Sequence, residues 1–147
     1  MNLTDHFTLE EMVFSQTALR KGIPNHPDVQ HVSNLKALCE RVLEPIRTLI
    51  GKPIFVTSGY RSEALNAAVG GSKSSQHMEG LAADIICPSF GSARNLAEII
   101  AVSSNIEFDQ LIYEGDWVHI STADQPRNHV LTAIFEDGKV DYRAGIV

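Results

Sequence analysis

The sequence has no apolar run near the roughly 18 residues that would cross a bilayer. Its opening residues, Met1-Asn2-Leu3-Thr4-Asp5-His6-Phe7, lack the basic-then-apolar layout of a secretory signal. An excess of positive charge is also missing: 12 basic against 18 acidic residues leave a net charge of −6. That balance disfavours sequence-independent binding to nucleic acid or anionic lipid, since both rely on Lys and Arg neutralising phosphates. A helix-turn-helix reading of residues 8–38 fails for want of a basic recognition helix. Cysteine is scarce, and Cys39 and Cys87 stand far apart in apolar contexts. This excludes a disulfide framework or a CxxC zinc pair, and it implies two reduced, buried thiols in a chain that folds in a reducing cytoplasm. Gly and Pro are too few for a low-complexity segment. The expectation is a soluble globular chain with no nucleic-acid partner and no membrane insertion, forming one domain over 1–147 and a monomer.

What is present reads as helices first and strands later. Thr8 with Glu11 is a capping-box arrangement that opens a short helix within 8–21. From Asp28 to Ile50, Val32, Leu35, Cys39, Val42, Ile46 and Leu49 recur at three- and four-residue steps, which marks a helix with one buried face, stopped by Gly51 and Pro53. Pro45 should kink or split it. Residues 54–57 read as a short buried strand, and Ser62 caps a short helix closed by Gly70-Gly71. Residues 81–87 form a second strand, and Ser92 caps an amphipathic helix. Strand-like runs follow at 110–113, 117–121 and 131–135, and Asp137-Gly138 turns the last of these back through Lys139 to Tyr142. This order favours α+β, with helices packed on a central antiparallel sheet, over βαβ alternation.

The chemistry-bearing positions stand out against that pattern. Asp84 is a carboxylate inside the apolar run Ala82-Ala83-Asp84-Ile85-Ile86, which is costly to desolvate unless it meets a cation or several donors. Alternation in Trp117-Val118-His119-Ile120-Ser121 puts His119 on the face opposite Val118 and Ile120. With His77, these residues make the two-histidine, one-carboxylate set of catalytic zinc, which leaves a fourth position for water. Such a site also needs a carboxylate as general base, and Glu114 and Asp116 flank Gly115 just ahead of His119. His6, His26, His31 and His129 read as surface or capping residues.

Three motifs follow in order: Ser58-Gly59-Tyr60-Arg61-Ser62, then Ser75-Gln76-His77-Met78-Glu79-Gly80-Leu81-Ala82-Ala83-Asp84, then Asp116-Trp117-Val118-His119. Together they resemble the zinc D-Ala-D-Ala carboxypeptidase family, whose relatives include vancomycin-resistance dipeptidases, phage L-alanyl-D-glutamate endolysins and the Hedgehog signalling domain. The likeness to small single-domain members from phage and bacterial genomes runs nearly end to end. It takes in His6-Phe7-Thr8 with Glu11, Leu65-Asn66, Val69-Gly70-Gly71 and Phe108-Asp109-Gln110-Leu111-Ile112.

The resemblance implies a Hedgehog/DD-peptidase-like fold with one Zn2+ per chain on His77, Asp84 and His119. It implies Asp116 as the base, with Glu114 as substitute, and Arg61 holding the substrate carbonyl and developing oxyanion. Ser75 would contact substrate, and Trp117 would line the cleft or pack in the core. The implied activity is hydrolysis of a peptidoglycan peptide bond involving a D-amino acid, by a D,D-carboxypeptidase, a dipeptidase or a stem-peptide endopeptidase such as a phage endolysin. The protein would be cytoplasmic at synthesis and would act at the cell wall after release. The competing reading is a zinc-bearing module that recognises wall peptides without cutting them.

Overall fold

The computed structural model describes residues 1–147. The chain opens with two short helices, α1 (Leu9–Val13) and α2 (Gln16–Lys21). The capping box forms in full: Thr8 Oγ1 accepts from the Glu11 amide at 3.2 Å, and Glu11 Oε1 accepts from the Thr8 amide at 2.7 Å. The segment 8–21 nevertheless holds two helices, because Ser15 is extended and starts a new one by accepting from the Ala18 amide.

The long amphipathic stretch becomes α3 (Val29–Leu38), a π-helical turn (Cys39–Leu43) and α4 (Glu44–Ile50). Pro45 splits the rod by a change of winding. A proline has no N–H for the carbonyl four residues back, and its ring would strike that carbonyl. The wider turn, in which the Glu44 amide reaches Cys39 O, opens the ladder just ahead of the ring. Both cysteines are free and buried, and burial pushes the Cys39 thiol up to about 12.

The remaining elements are β1 (Phe55–Ser58), α5 (Glu63–Ala68), a 3₁₀ turn (Gln76–Glu79), β2 (Ala82–Ile86), α6 (Ala93–Ala101), β3 (Gln110–Tyr113), β4 (Val118–Ser121), β5 (His129–Glu136) and β6 (Lys139–Ala144). Six strands form one sheet in the order β1-β2-β4-β3-β5-β6. Two expectations need correction. The sheet is mixed: β5 lies parallel to β3, with Ile112 opposite Leu131, while every other pairing is antiparallel. After β4 the chain crosses back and pairs with the far edge of β3, so the third strand of the run points the same way as the first. In addition, β1 is an edge strand rather than a buried one, with Phe55 53% exposed.

Alternation gives the sheet two different faces. Ala83, Ile85, Leu111, Val118 and Ile120 point toward the helices and join Leu35, Leu38, Ile46, Leu96 and Ile100 in one contiguous core. Each Val, Leu or Ile among them contributes about 1.5–3 kcal/mol when fully buried. The opposite face carries Asp84, His119, Ile112 and Leu131 on neighbouring strands and forms the floor of an open cleft of about 1230 Å³.

Candidate metal centre

Three residues meet at the middle of that floor. Asp84 and His119 are direct cross-strand partners of β2 and β4. His77 comes from the 3₁₀ turn, which Ser75 starts by accepting from the His77 amide through Oγ. Gly80 closes the turn at φ +76°, where a Cβ would lie 2.7 Å from His31 O, so only glycine fits. His77 Nε2 stands 3.2 Å and His119 Nδ1 3.3 Å from Asp84 Oδ1. One ligand atom from each of the three lies within 4.8 Å of the others.

The donor set fits a cation. His77 Nδ1 lies 2.8 Å from Gly59 O, a carbonyl that can only accept, so the ring donates there. A neutral His77 then turns a bare Nε2 lone pair toward a carboxylate oxygen, and two acceptors face each other. Either a proton on Nε2 or a cation between them relieves this. Burial pushes the His77 imidazolium pKa down, which works against the proton. Against the cost of burial, the two neighbouring imidazoles, His119 first, hold Asp84 ionised, well below the usual carboxylate range. A buried anion with two imidazoles, one of them fixed by a backbone carbonyl, can hold a divalent metal ion.

The loop after β1 carries the next layer. Gly59 is required by close approach, since a Cβ would lie 2.2 Å from Met12 O. The Tyr60 amide donates to that same Met12 O at 2.7 Å, and the Arg61 amide donates to His77 O at 3.0 Å. Arg61 is fixed on three sides: Nε donates to Ser58 Oγ, Nη1 to Asn66 Oδ1 and Nη2 to Asp84 Oδ2 at 3.3 Å. It thus borders the cluster as well as lining the cleft.

The two candidate bases part company. Glu114 lines the cleft, and burial followed by the charge of Asp84 raises its pKa. Trp117, which also lines the cleft, donates its indole N–H to Glu114 Oε2. Asp116 sits exposed on the β3–β4 turn and is not among the residues lining the cleft. Ser75 lines the cleft while capping the 3₁₀ turn. Two of the other histidines are spent locally: His6 pairs with Glu44, and His31 completes a capping box with Asp28.

The family model of Peptidase M15 matches residues 5–121. The chain belongs to the peptidase M15 family. It is therefore a metallopeptidase by family, and the His77–Asp84–His119 cluster is compatible with the zinc such enzymes use. No curated protein gives a significant match to the chain.

Several working residues of this M15 chain escape a reading of the sequence. Asn25, from the loop before α3, donates to Val13 O and Tyr60 O and accepts from the Ser62 amide, clamping both ends of the Arg61 loop. Buried Asn66 accepts from Arg61 and donates to Ser72 O. Asp109, at 2% exposure, accepts from Gln76 Nε2 at 3.0 Å and from Arg127 Nε and Nη2 at 2.9 and 2.8 Å. The Arg127 hydrogen bonds, helped by Gln76, hold its carboxyl at about 2. No spacing rule announces these contacts. The available signals are the matched motifs that contain Asn66 and Asp109 and, for Asp109, a polar residue directly preceding an apolar strand.

Proposed function

We propose that this peptidase is a zinc enzyme that hydrolyses a bacterial peptidoglycan peptide bond involving a D-amino acid, as a D,D-carboxypeptidase or a stem-peptide endopeptidase. The convergence of His77, Asp84 and His119 beside Glu114 on one cleft floor carries the proposal. The D-amino-acid substrate rests on the motif resemblance. We assign one zinc per chain to these three ligands, and the contiguous core supports a single catalytic domain. Held by these residues, zinc would supply Lewis acidity for a water and a carbonyl.

The chain's own groups do the rest. Glu114 takes the proton from the attacking water and returns it to the departing amine, and its raised pKa suits both halves of that task. We assign this role to Glu114 rather than Asp116 because Glu114 borders the cleft and Asp116 faces solvent. Trp117 holds the Glu114 carboxylate through its indole N–H. Arg61, locked by Ser58, Asn66 and Asp84, presents fixed positive charge where the carbonyl oxygen becomes negative. Ser75 and Trp117 border the path of the substrate. Action at the cell wall after release, as a phage endolysin would act, is the setting we favour.

Digestion of purified muropeptides, followed by mass spectrometry, tests the proposal. New fragments should appear with wild type and be absent with Glu114→Gln. Zinc binding with no cleavage of any muropeptide would instead identify a recognition module.

A further inference from the structure

The residues matched to the family end at Ser121, yet the cleft does not. It continues onto the β5–β6 hairpin, which adds two strands beyond β3. Register puts Leu131, Phe135, Val140 and Tyr142 on the sheet face shared with Ile112 and His119, since Phe135 opposes Val140 and Leu131 opposes Ile112. All four line the cleft, and Phe135, Val140 and Tyr142 are 62%, 44% and 50% exposed. A hairpin whose apolar side chains face an open cleft is unusual on a solvent surface and calls for an apolar occupant.

A single cation stands at the near end of this wall. Arg127 lines the cleft, and its side chain is 51% exposed. Buried Asp109 grips its Nε and Nη2 and also accepts from its amide at 3.1 Å, so the guanidinium is fixed with Nη1 left without a protein partner. Asp109 also holds Gln76, the neighbour of His77, which ties the wall to the metal cluster. Arg61, the other cation lining the cleft, is engaged through Nε, Nη1 and Nη2, whereas Arg127, also paired to an aspartate, keeps Nη1 open to the cleft and is the group best placed for an anion.

We infer that Arg127 and the β5–β6 hairpin form a specificity wall, with Arg127 taking a substrate carboxylate and the Phe135–Val140–Tyr142 face taking the aliphatic groups beside it. Among the peptides of the proposed reaction, the wall would select those whose free carboxylate is flanked by small apolar residues. A guanidinium fixed in place with Nη1 open recognises a carboxylate by a charge-assisted hydrogen bond and leaves a carboxamide poorly matched. The inference rests on the cleft being a peptide-binding site, as the peptidase reading holds.

The test is equilibrium binding to the zinc-loaded protein of two peptides built from D-Glu and D-Ala. One keeps its carboxylates free, and the other carries them as carboxamides. Wild type should favour the free acid by about tenfold. Arg127→Gln should bring that ratio to near one, while Arg127→Lys keeps part of it. Because the ratio is read within one variant, a general loss of stability cancels. Phe135→Ser with Tyr142→Ser should weaken both peptides several-fold and leave the ratio unchanged. The inference is overturned if wild type binds neither peptide or does not discriminate, if Arg127→Gln keeps the ratio, or if the hairpin variant binds as tightly as wild type. Discrimination without cleavage of any muropeptide would support the wall and remove the hydrolytic reading, so the two failures are told apart.

Discussion

Two carboxylates on one turn differ in position by two residues and in environment by far more. Glu114 borders the cleft with a raised pKa, and Asp116 points to water. Replacing Glu114 by Gln should therefore cost about 10²–10⁴ in kcat while leaving zinc content near one per chain. Asp116→Asn should stay within about threefold of wild type, since an exposed side chain away from the reacting atoms seldom changes a rate. Kinetics with metal analysis on both variants checks this, and the reverse ranking would return the base to Asp116. The motif alone favoured Asp116 because sequence spacing does not show which way a tight turn aims its side chains. Gly115, at φ +90° between the two acids, sets that aim.

Short elements hold the site, and each depends on a contact distant in sequence. The Arg61 loop leans on α1 through Gly59, whose missing Cβ lets Met12 O approach. Gly59→Ala should push the loop off α1 and move Gly59 O away from His77 Nδ1. Loss of such a partner to a ligand histidine typically costs 10–100-fold in metal affinity. A competitive zinc titration reads this directly, and unchanged affinity would contradict it.

Asp109 is the corresponding strut between the 3₁₀ turn, the start of β3 and Arg127. Its folded pKa of about 2 lies below an unfolded value of about 3.9, so the stability it contributes is complete above the unfolded value and is lost as pH falls toward 2. Asp109→Asn should lower neutral stability by about 1–3 kcal/mol and shrink the acid-induced loss between pH 4 and 2. Denaturant melts at several pH values check both. The motifs contain Gly59 and Asp109, but the sequence shows neither contact, because a close approach or a buried carboxylate looks like any other until its partners are known. Capping residues were legible, because Thr8, Ser62 and Ser92 act on amides three residues away.

At the scale of the whole molecule, the helix-then-strand order was readable from hydrophobic period, and so was the outward face of His119. The parallel pairing of β5 was not, because strand period carries no information about which edge a strand joins. The π-helical turn escaped for a related reason: Pro45 announces a fault in the ladder but not the way the ladder absorbs it. The core and the site are joined through the sheet, whose one face is packed by helices while the other carries the candidate ligands Asp84 and His119. Metal binding should therefore stabilise the fold as a unit. A free ion at a thousandfold excess over its Kd adds about 4 kcal/mol, and a chelator should lower Tm in wild type by several degrees and leave Asp84→Ala unchanged.

The most direct measurement is a zinc titration of the metal-stripped protein beside His77→Ala and His119→Ala. Wild type should take up one tightly held ion per chain, and each variant should lose that uptake. Tight binding that survives both substitutions, or no tight binding in wild type, would contradict the account.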